Sequence, residues 1–135
     1  MVLHNKRMHW TGAHTKHRLI VHLVWIPKYR KKLLVGPVAK RVEELLHECA
    51  EVNQWRIDEL NVQEDHVHLL IQIRPNISLS KAVQFLKGGS SKVIRKEFPD
   101  LRVFLWGDSF WADGYFAESV GVSNLSKMRD YIKNQ

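Results

Sequence analysis

Apolar residues recur along the chain with two different periods, and the switches between them mark out the elements. From His17 to Ile26 they alternate loosely in a stretch rich in Val, Ile, Leu and Trp that stops at Pro27, which predicts a strand. Gly36-Pro37 then opens a helix whose apolar residues Val38, Val42, Leu45, Leu46, Cys49 and Val52 share one stripe. Trp55 to Val62 reads as a second strand, Glu64-Asp65 as a short turn, and His66 to Arg74 as a third strand closed by Pro75. Ser78 is placed to cap a second helix running to about Phe98, with Val83, Leu86, Val93 and Ile94 apolar and Gly88-Gly89 permitting a kink or a close approach. Leu101 to Trp106 and Phe110 to Phe116 read as strands around Gly107-Asp108, and Ser123 caps a final helix reaching Gln135.

The order βαββαβ(β)α is that of the split βαβ, ferredoxin-like arrangement: an α+β domain with an antiparallel sheet, helices on one face and an added C-terminal helix. With 135 residues the chain is expected to form one domain, residues 1–135. It contains no internal repeat and no linker-like run. An apolar fraction of 44% and a charged fraction of 26% are those of ordinary soluble proteins. No apolar run approaches the ~20 residues of a membrane span, and residues 1–11 lack a signal-like core, so the cytoplasm is the expected location. The lone Cys49 excludes an intramolecular disulfide and a cysteine metal cage. A net charge of +7 favours a polyanionic partner, nucleic acid first, without giving it a sequence.

Candidate chemistry begins on the third strand. Alternation puts Val67, Leu69, Ile71 and Ile73 on one face and His66, His68, Leu70 and Gln72 on the other, with the histidines away from the core. Imidazoles at i and i+2 sit close enough to share one divalent cation, although two polar residues on a solvated face read equally simply. On the final helix Tyr131 and Gln135, four apart, share a face beside the apolar stripe Leu125, Met128 and Ile132, so docking of that stripe on the sheet would aim both into one pocket. A tyrosine at a helix edge showing its hydroxyl to water is the plainer alternative. His4, His9, His14, His17 and His47 have no partner at ligand spacing; His22 on the first strand is within reach of the active face but reads first as a satisfied structural histidine.

Three stretches, HLVWIPKYRKKLL (22–34), EDHVHLLIQI (64–73) and LWGDSFWADGYFAESVG leading into YIKNQ (105–135), together resemble the TnpA-type single-tyrosine transposases of the HUH class, which move small insertion sequences as single-stranded DNA. The order and spacing match that family from near residue 17 onward. Family members often carry Cys at the position of Ile26 and usually continue a little past Gln135. The resemblance implies that His66 and His68 bind magnesium or manganese, that Gln135 completes the protein ligands and that Tyr131 is the nucleophile. It further implies a homodimer in which the Tyr131 helix acts in trans, with Gly121 a plausible hinge, and recognition of single-stranded DNA hairpins at the element ends.

A phenol of pKa ~10 is a poor nucleophile at neutral pH, and a bound cation would help it. DNA contacts are expected from Lys28, Arg30, Lys31 and Lys32 around Tyr29, which combine phosphate-binding charge with a ring able to stack on a base. Lys87, Lys92, Arg95 and Lys96 around Gly88-Gly89 are expected to line a second backbone-binding face. A histidine-triad hydrolase would need histidine where Leu70 stands, and a two-histidine phosphodiesterase would need a repeated His-x-Ser/Thr that is absent. Another HUH endonuclease, of replication or relaxase type, and a non-catalytic ferredoxin-like module for single-stranded nucleic acid remain as alternatives.

Overall fold

The computed structural model describes residues 10–11, 16–17, 19–105, 107 and 109–135. The expectations for His4, His9 and His14 fall outside these residues, and for His17 only the backbone is described. Trp10–Thr11 pairs antiparallel with Lys16–His17 ahead of the main sheet.

The sheet has four strands: β1 (Leu19–Trp25), β2 (Arg56–Gln63), β3 (His66–Ile73) and β4 (Phe116–Ser119). Its order is β2-β3-β1-β4 and every neighbouring pair is antiparallel, as the split βαβ pattern predicts. Helix α1 (Gly36–Val52) starts after an extended Val35 with Pro37 in its first turn, where the missing N–H of proline costs nothing. Helix α2 (Leu79–Glu97) is capped as predicted: the Ser78 hydroxyl accepts from the Lys81 N–H. Helix α3 (Leu125–Lys133) closes the described chain. Among the described residues no helix is long and apolar enough to cross a membrane.

Alternation in β1 and β3 divides the apolar residues between two cores. Leu23, Trp25, Val67, Leu69, Ile71 and Ile73 face α1 and α2, meeting Val42, Leu46, Leu86 and Ile94. Ile20 and Leu70 face the other way and form a smaller core with Val120, Leu125 and Ile132. Two helices therefore cover one face while α3 covers part of the other. Besides its apolar stripe α3 has two polar anchors. Asn61 on β2 donates to the Ile132 carbonyl at 2.7 Å, and the Arg129 guanidinium lies 3.7 Å from the buried Asp58 carboxylate. Asp58 sits at a β-bulge between Ile57 and Glu59 and also accepts from Gln72.

Four expectations are corrected. Of the strand expected over Leu101 to Trp106, Trp106 lies outside the described residues and the rest does not form a strand: residues Pro99–Phe104 make 3-10 turns held by i→i+3 bonds such as Leu101 N–H to the Phe98 carbonyl, with Val103 and Phe104 exposed. Phe110 to Phe116 is not a strand until its last residue. Phe110 and Trp111 are both buried, but the ladder pairing of this stretch before Phe116 is a single bridge from Trp111 to Pro27, just past β1, while the Trp111 ring packs edge-on against Trp25 of β1. The Trp111 indole donates to the Ser90 hydroxyl, so this segment plugs the end of the main core. Gly88-Gly89 introduces no break in α2, and beyond the helix's own adjoining backbone no described atom lies within 4 Å of where a Cβ would stand on either. Ser123 does not cap the final helix, which begins at Leu125 after a 3-10 turn and ends at Lys133 rather than Gln135.

Ile132 is fully buried in the smaller core. Ile132→Ala is expected to lower the unfolding free energy by about 2–5 kcal/mol, whereas Val52→Ala at an exposed site should shift it by no more than about 0.5 kcal/mol. Urea titration of both variants checks this, and equal losses would show that α3 is not docked where described.

Candidate active site

His66 begins β3 directly after the Glu64-Asp65 turn, and its Nδ1 lies 2.7 Å from Asp65 Oδ1. The other oxygen of Asp65 accepts from Arg30 Nε at 3.1 Å, so one carboxylate ties the basic loop to the histidine strand. The hydrogen bond from His66 and the nearby Arg30 charge hold the Asp65 carboxyl below the usual carboxylate range.

His68 lies one strand step further in and is buried, on the polar side of the sheet but not in solvent. Its Nδ1 is 3.1 Å from His22 Nε2, and His22 Nδ1 is 3.2 Å from Glu118 Oε1. Burial, then the neighbouring His66 and His22, push the His68 pKa down to about 4, which keeps this imidazole neutral at physiological pH. The His66 and His68 rings are 4.9 Å apart and nearly perpendicular.

Helix α3 lays Tyr131 over this face. Its ring is 6.1 Å from that of His68 and 6.4 Å from that of His22, edge-on to both, and the residue is 54% exposed. The hydroxyl-bearing side chain is thus beside the histidines and open to a large substrate. Gln135 follows the helix end; its side-chain amide nitrogen donates to the Tyr131 carbonyl, and its main-chain carbonyl accepts from the side chain of Gln63, the residue paired with His66 across β2 and β3.

The donors fit a divalent cation. His66 Nδ1 faces the Asp65 carboxylate, which only accepts, and so keeps its lone pair on Nε2; His68 has Nδ1 engaged by His22, which leaves Nε2 as its ring nitrogen open to a further partner. Among the described residues no set of three His, Cys, Asp or Glu could hold a metal, so a third protein ligand would be an uncharged donor such as the Gln135 amide oxygen.

The residues expected to bind DNA divide into two groups. Lys28–Arg30 forms a 3-10 turn in which Tyr29 and Arg30 both adopt positive φ, near 61° and 50°, a conformation non-glycine residues rarely take. Tyr29 is exposed, with the Lys28 ammonium 5.7 Å from its ring centre. Arg30 is bound to Asp65, Lys32 lies 3.7 Å from Glu64, and Lys31 is exposed. In the second group Lys87 donates to the carbonyls of Ala112 and Gly114, each at 2.7 Å, and burial lowers its pKa. Arg95 donates to the Gly107 carbonyl. Together with Gly88, Lys92 and Trp111 these two line an open cleft of about 410 Å³.

Sequence reasoning allowed His22 a place near the active face and favoured a satisfied structural histidine; the structure has it buried and hydrogen-bonded on that face, and what the sequence did not reveal is its link to His68. The available signal was antiparallel pairing of β1 with β3: it sets His22 opposite Leu70, on the face that carries His68.

Comparison with known proteins adds an independent line. A family model described as "Transposase IS200 like" matches residues 15–135. The transposase for insertion sequence element IS200 of Salmonella typhimurium is 37% identical over 123 residues, 91% of this chain and 80% of that protein. The ISDra2 transposase TnpA of Deinococcus radiodurans is 33% identical over 119 residues, covering 88% and 85%. A crystal structure of a transposase from Deinococcus radiodurans superposes with a TM-score of 0.77 at 32% identity, covering 93% of this chain and 97% of that one. A tyrosine transposase solved bound to a REP hairpin shares the fold, with a TM-score of 0.61 at 9% identity over 91% of this chain and 70% of its own.

The depressed pKa of His68 has a consequence for stability. The folded state disfavours its protonation, so its contribution is complete above the unfolded value of 6.5 and is lost as pH falls towards about 4. In chelator, urea unfolding of the wild type should weaken over this window by at most about 3 kcal/mol from this group. His68→Gln should flatten that part of the profile, and an unchanged slope would remove His68 as its source.

Proposed function

Because the chain belongs to the IS200-like transposase family, we propose that this transposase cleaves and rejoins single-stranded DNA at the ends of its insertion sequence through a covalent bond between Tyr131 and a 5′-phosphate. The observation that carries this reading is the convergence of Tyr131, from the last helix, on His66 and His68 across an open face.

Tyr131 Oη attacks the scissile phosphorus; the new O–P bond forms as the bond to the 3′ oxygen breaks, the phenol loses its proton and the departing oxygen gains one. The product is a 5′-phosphotyrosine and a free 3′-hydroxyl, so the number of phosphoester bonds is conserved. A 3′-hydroxyl from another strand reverses the step and rejoins DNA, with no requirement for ATP. A magnesium or manganese ion held by His66, His68 and the Gln135 amide oxygen would supply Lewis-acid stabilisation of the scissile phosphate. Burial keeps His68 neutral and so ready for such a role, and the exposure of Tyr131 admits a strand without a conformational opening.

Two basic surfaces are the proposed DNA contacts, a loop tied to the histidine strand through Asp65 and a cleft on α2, which covers the other face of the sheet. Lys28, Lys31 and Lys32 supply charge near exposed Tyr29, whose ring offers a stacking platform, while Arg30 orders the loop through Asp65. Lys92, with Lys87 and Arg95, presents a second face on which bare helix at Gly88 and Gly89 allows close approach of a phosphate backbone. Hairpins at the element ends are the proposed ligands.

One nucleophile per chain and two ends per element call for two sites, hence a homodimer. In the single chain α3 rests on its own sheet, and the extended Gly121 before it is the proposed hinge for exchange with a partner.

Incubation of the protein with labelled single-stranded DNA from the flanks of its gene, with manganese or chelator, tests the nucleophile on a denaturing gel. The wild type should give a manganese-dependent covalent adduct, and Tyr131→Phe should retain binding but give none. An adduct that persists in Tyr131→Phe would exclude Tyr131; tight binding with no adduct from the wild type would favour a non-catalytic module.

A further inference from the structure

Two residues on adjacent strands, His22 and Glu118, form a line behind His68. Glu118 on β4 stands directly opposite His22 on β1, and His22 stands opposite Leu70, two residues from His68 on the same face of β3. The contacts along the line are Glu118 Oε1 to His22 Nδ1 at 3.2 Å and His22 Nε2 to His68 Nδ1 at 3.1 Å. The two imidazole planes differ by only 13° with centroids 5.4 Å apart. That separation is too long for face-to-face stacking and is what an in-plane, edge-to-edge N–H···N bond requires, since both the N–H and the lone pair lie in the plane of their ring.

We propose that His22 and Glu118 are positioning residues that lock His68 in the tautomer protonated on Nδ1, so that its Nε2 lone pair faces the catalytic centre. The direction of the line follows from its acid end. A carboxylate only accepts, so His22 donates from Nδ1; a neutral His22 then has a lone pair on Nε2, which can only accept, so His68 donates from Nδ1. The lone pair of His68 is left on Nε2. Asp65 does the same for His66 by direct contact. Both histidines are thus backed by a carboxylate, one adjacent and one relayed across two strands, and for a metal-binding imidazole such an outer partner fixes ring orientation and raises basicity. His22 is buried and Glu118 is half exposed on its side chain, so the acid can be changed without opening the core.

The proposal rests on the reading of His68 as a metal ligand, but the tautomer can be measured without metal. In ¹⁵N-histidine spectra of the metal-free protein, wild-type His68 should show a single Nδ1–H form. Glu118→Ala should allow His68 to populate the Nε2–H form. Glu118→Gln, whose carbonyl still accepts, should restore the wild-type signature, and His22→Phe should release His68 outright. Circular dichroism melts confirm that each variant is folded; if His22→Phe is not, the two Glu118 variants carry the test. Manganese affinity, followed by the paramagnetic resonance of the free ion, should fall about tenfold or more in Glu118→Ala and recover in Glu118→Gln. A His68 tautomer that is unchanged in a folded Glu118→Ala variant would overturn the relay. Wild-type protein that shows the expected tautomer and binds no manganese would instead overturn the metal reading and leave the relay standing.

Discussion

The register between β1 and β3, running from Leu19 opposite Ile73 to Trp25 opposite Val67, is the constraint on which the rest of the structure depends. Strand side chains alternate, so a slip of one residue would exchange the two faces of either strand. It would drive His68 and Gln72 into the space under α1 and α2 and turn Leu69 and Ile71 towards α3. The observed register seals the large residues Leu23, Trp25, Leu69 and Ile71 into the main core. The same register brings His22, His68 and Glu118 to one side, because residues directly opposite in an antiparallel sheet share a face. Core and site are therefore fixed by one pairing.

That second face is only partly apolar. Ile20 and Leu70 need cover, and α3 supplies it with Leu125, Ile132 and the flanking Met128. A helix of nine residues has little stability of its own in water, so its position is set by what it touches. The Asn61 bond to the Ile132 carbonyl and the Arg129 contact with Asp58 fix rotation about the helix axis as well as depth. With Ile132 turned inward, the neighbouring Tyr131 is carried to the rim of the docked face, beside His68 and His22. The nucleophile proposed here is placed by burial of the residue next to it.

Elements with one strong period were legible in the sequence. The alternation of HVHLLIQI gave β3 and its two faces, the stripe from Val38 onward gave α1, and Ser78 marked the start of α2. Failures occurred where local pattern and tertiary demand part. Leu101 to Leu105 alternates like a strand, yet Pro99 and i→i+3 bonding turn it into 3-10 structure, and the free side of β1 is taken by β4 instead. Phe110 and Trp111 are strand-prone residues drawn into the core, one after the other. In the site, the positions of His66, His68 and Tyr131 followed from periodicity and resemblance. His22 did not, because its relation to His68 spans 46 positions and exists only in the paired sheet.

Charge shows the same division between what composition says and what geometry does. A net charge of +7 points to a polyanion, but part of that charge is committed within the protein. Arg30 is bound to Asp65, and Lys87 and Arg95 are spent on loop carbonyls at Ala112, Gly114 and Gly107. These contacts hold the segments that border the cleft and the histidine strand. A basic residue whose donors already meet backbone carbonyls adds to the field felt by a phosphate while giving up direct hydrogen bonds to it. The arrangement separates two tasks within one residue class: Lys87, Arg95 and Arg30 shape the surface, while the exposed Lys31, Lys32 and Lys92 are the cations proposed to meet DNA.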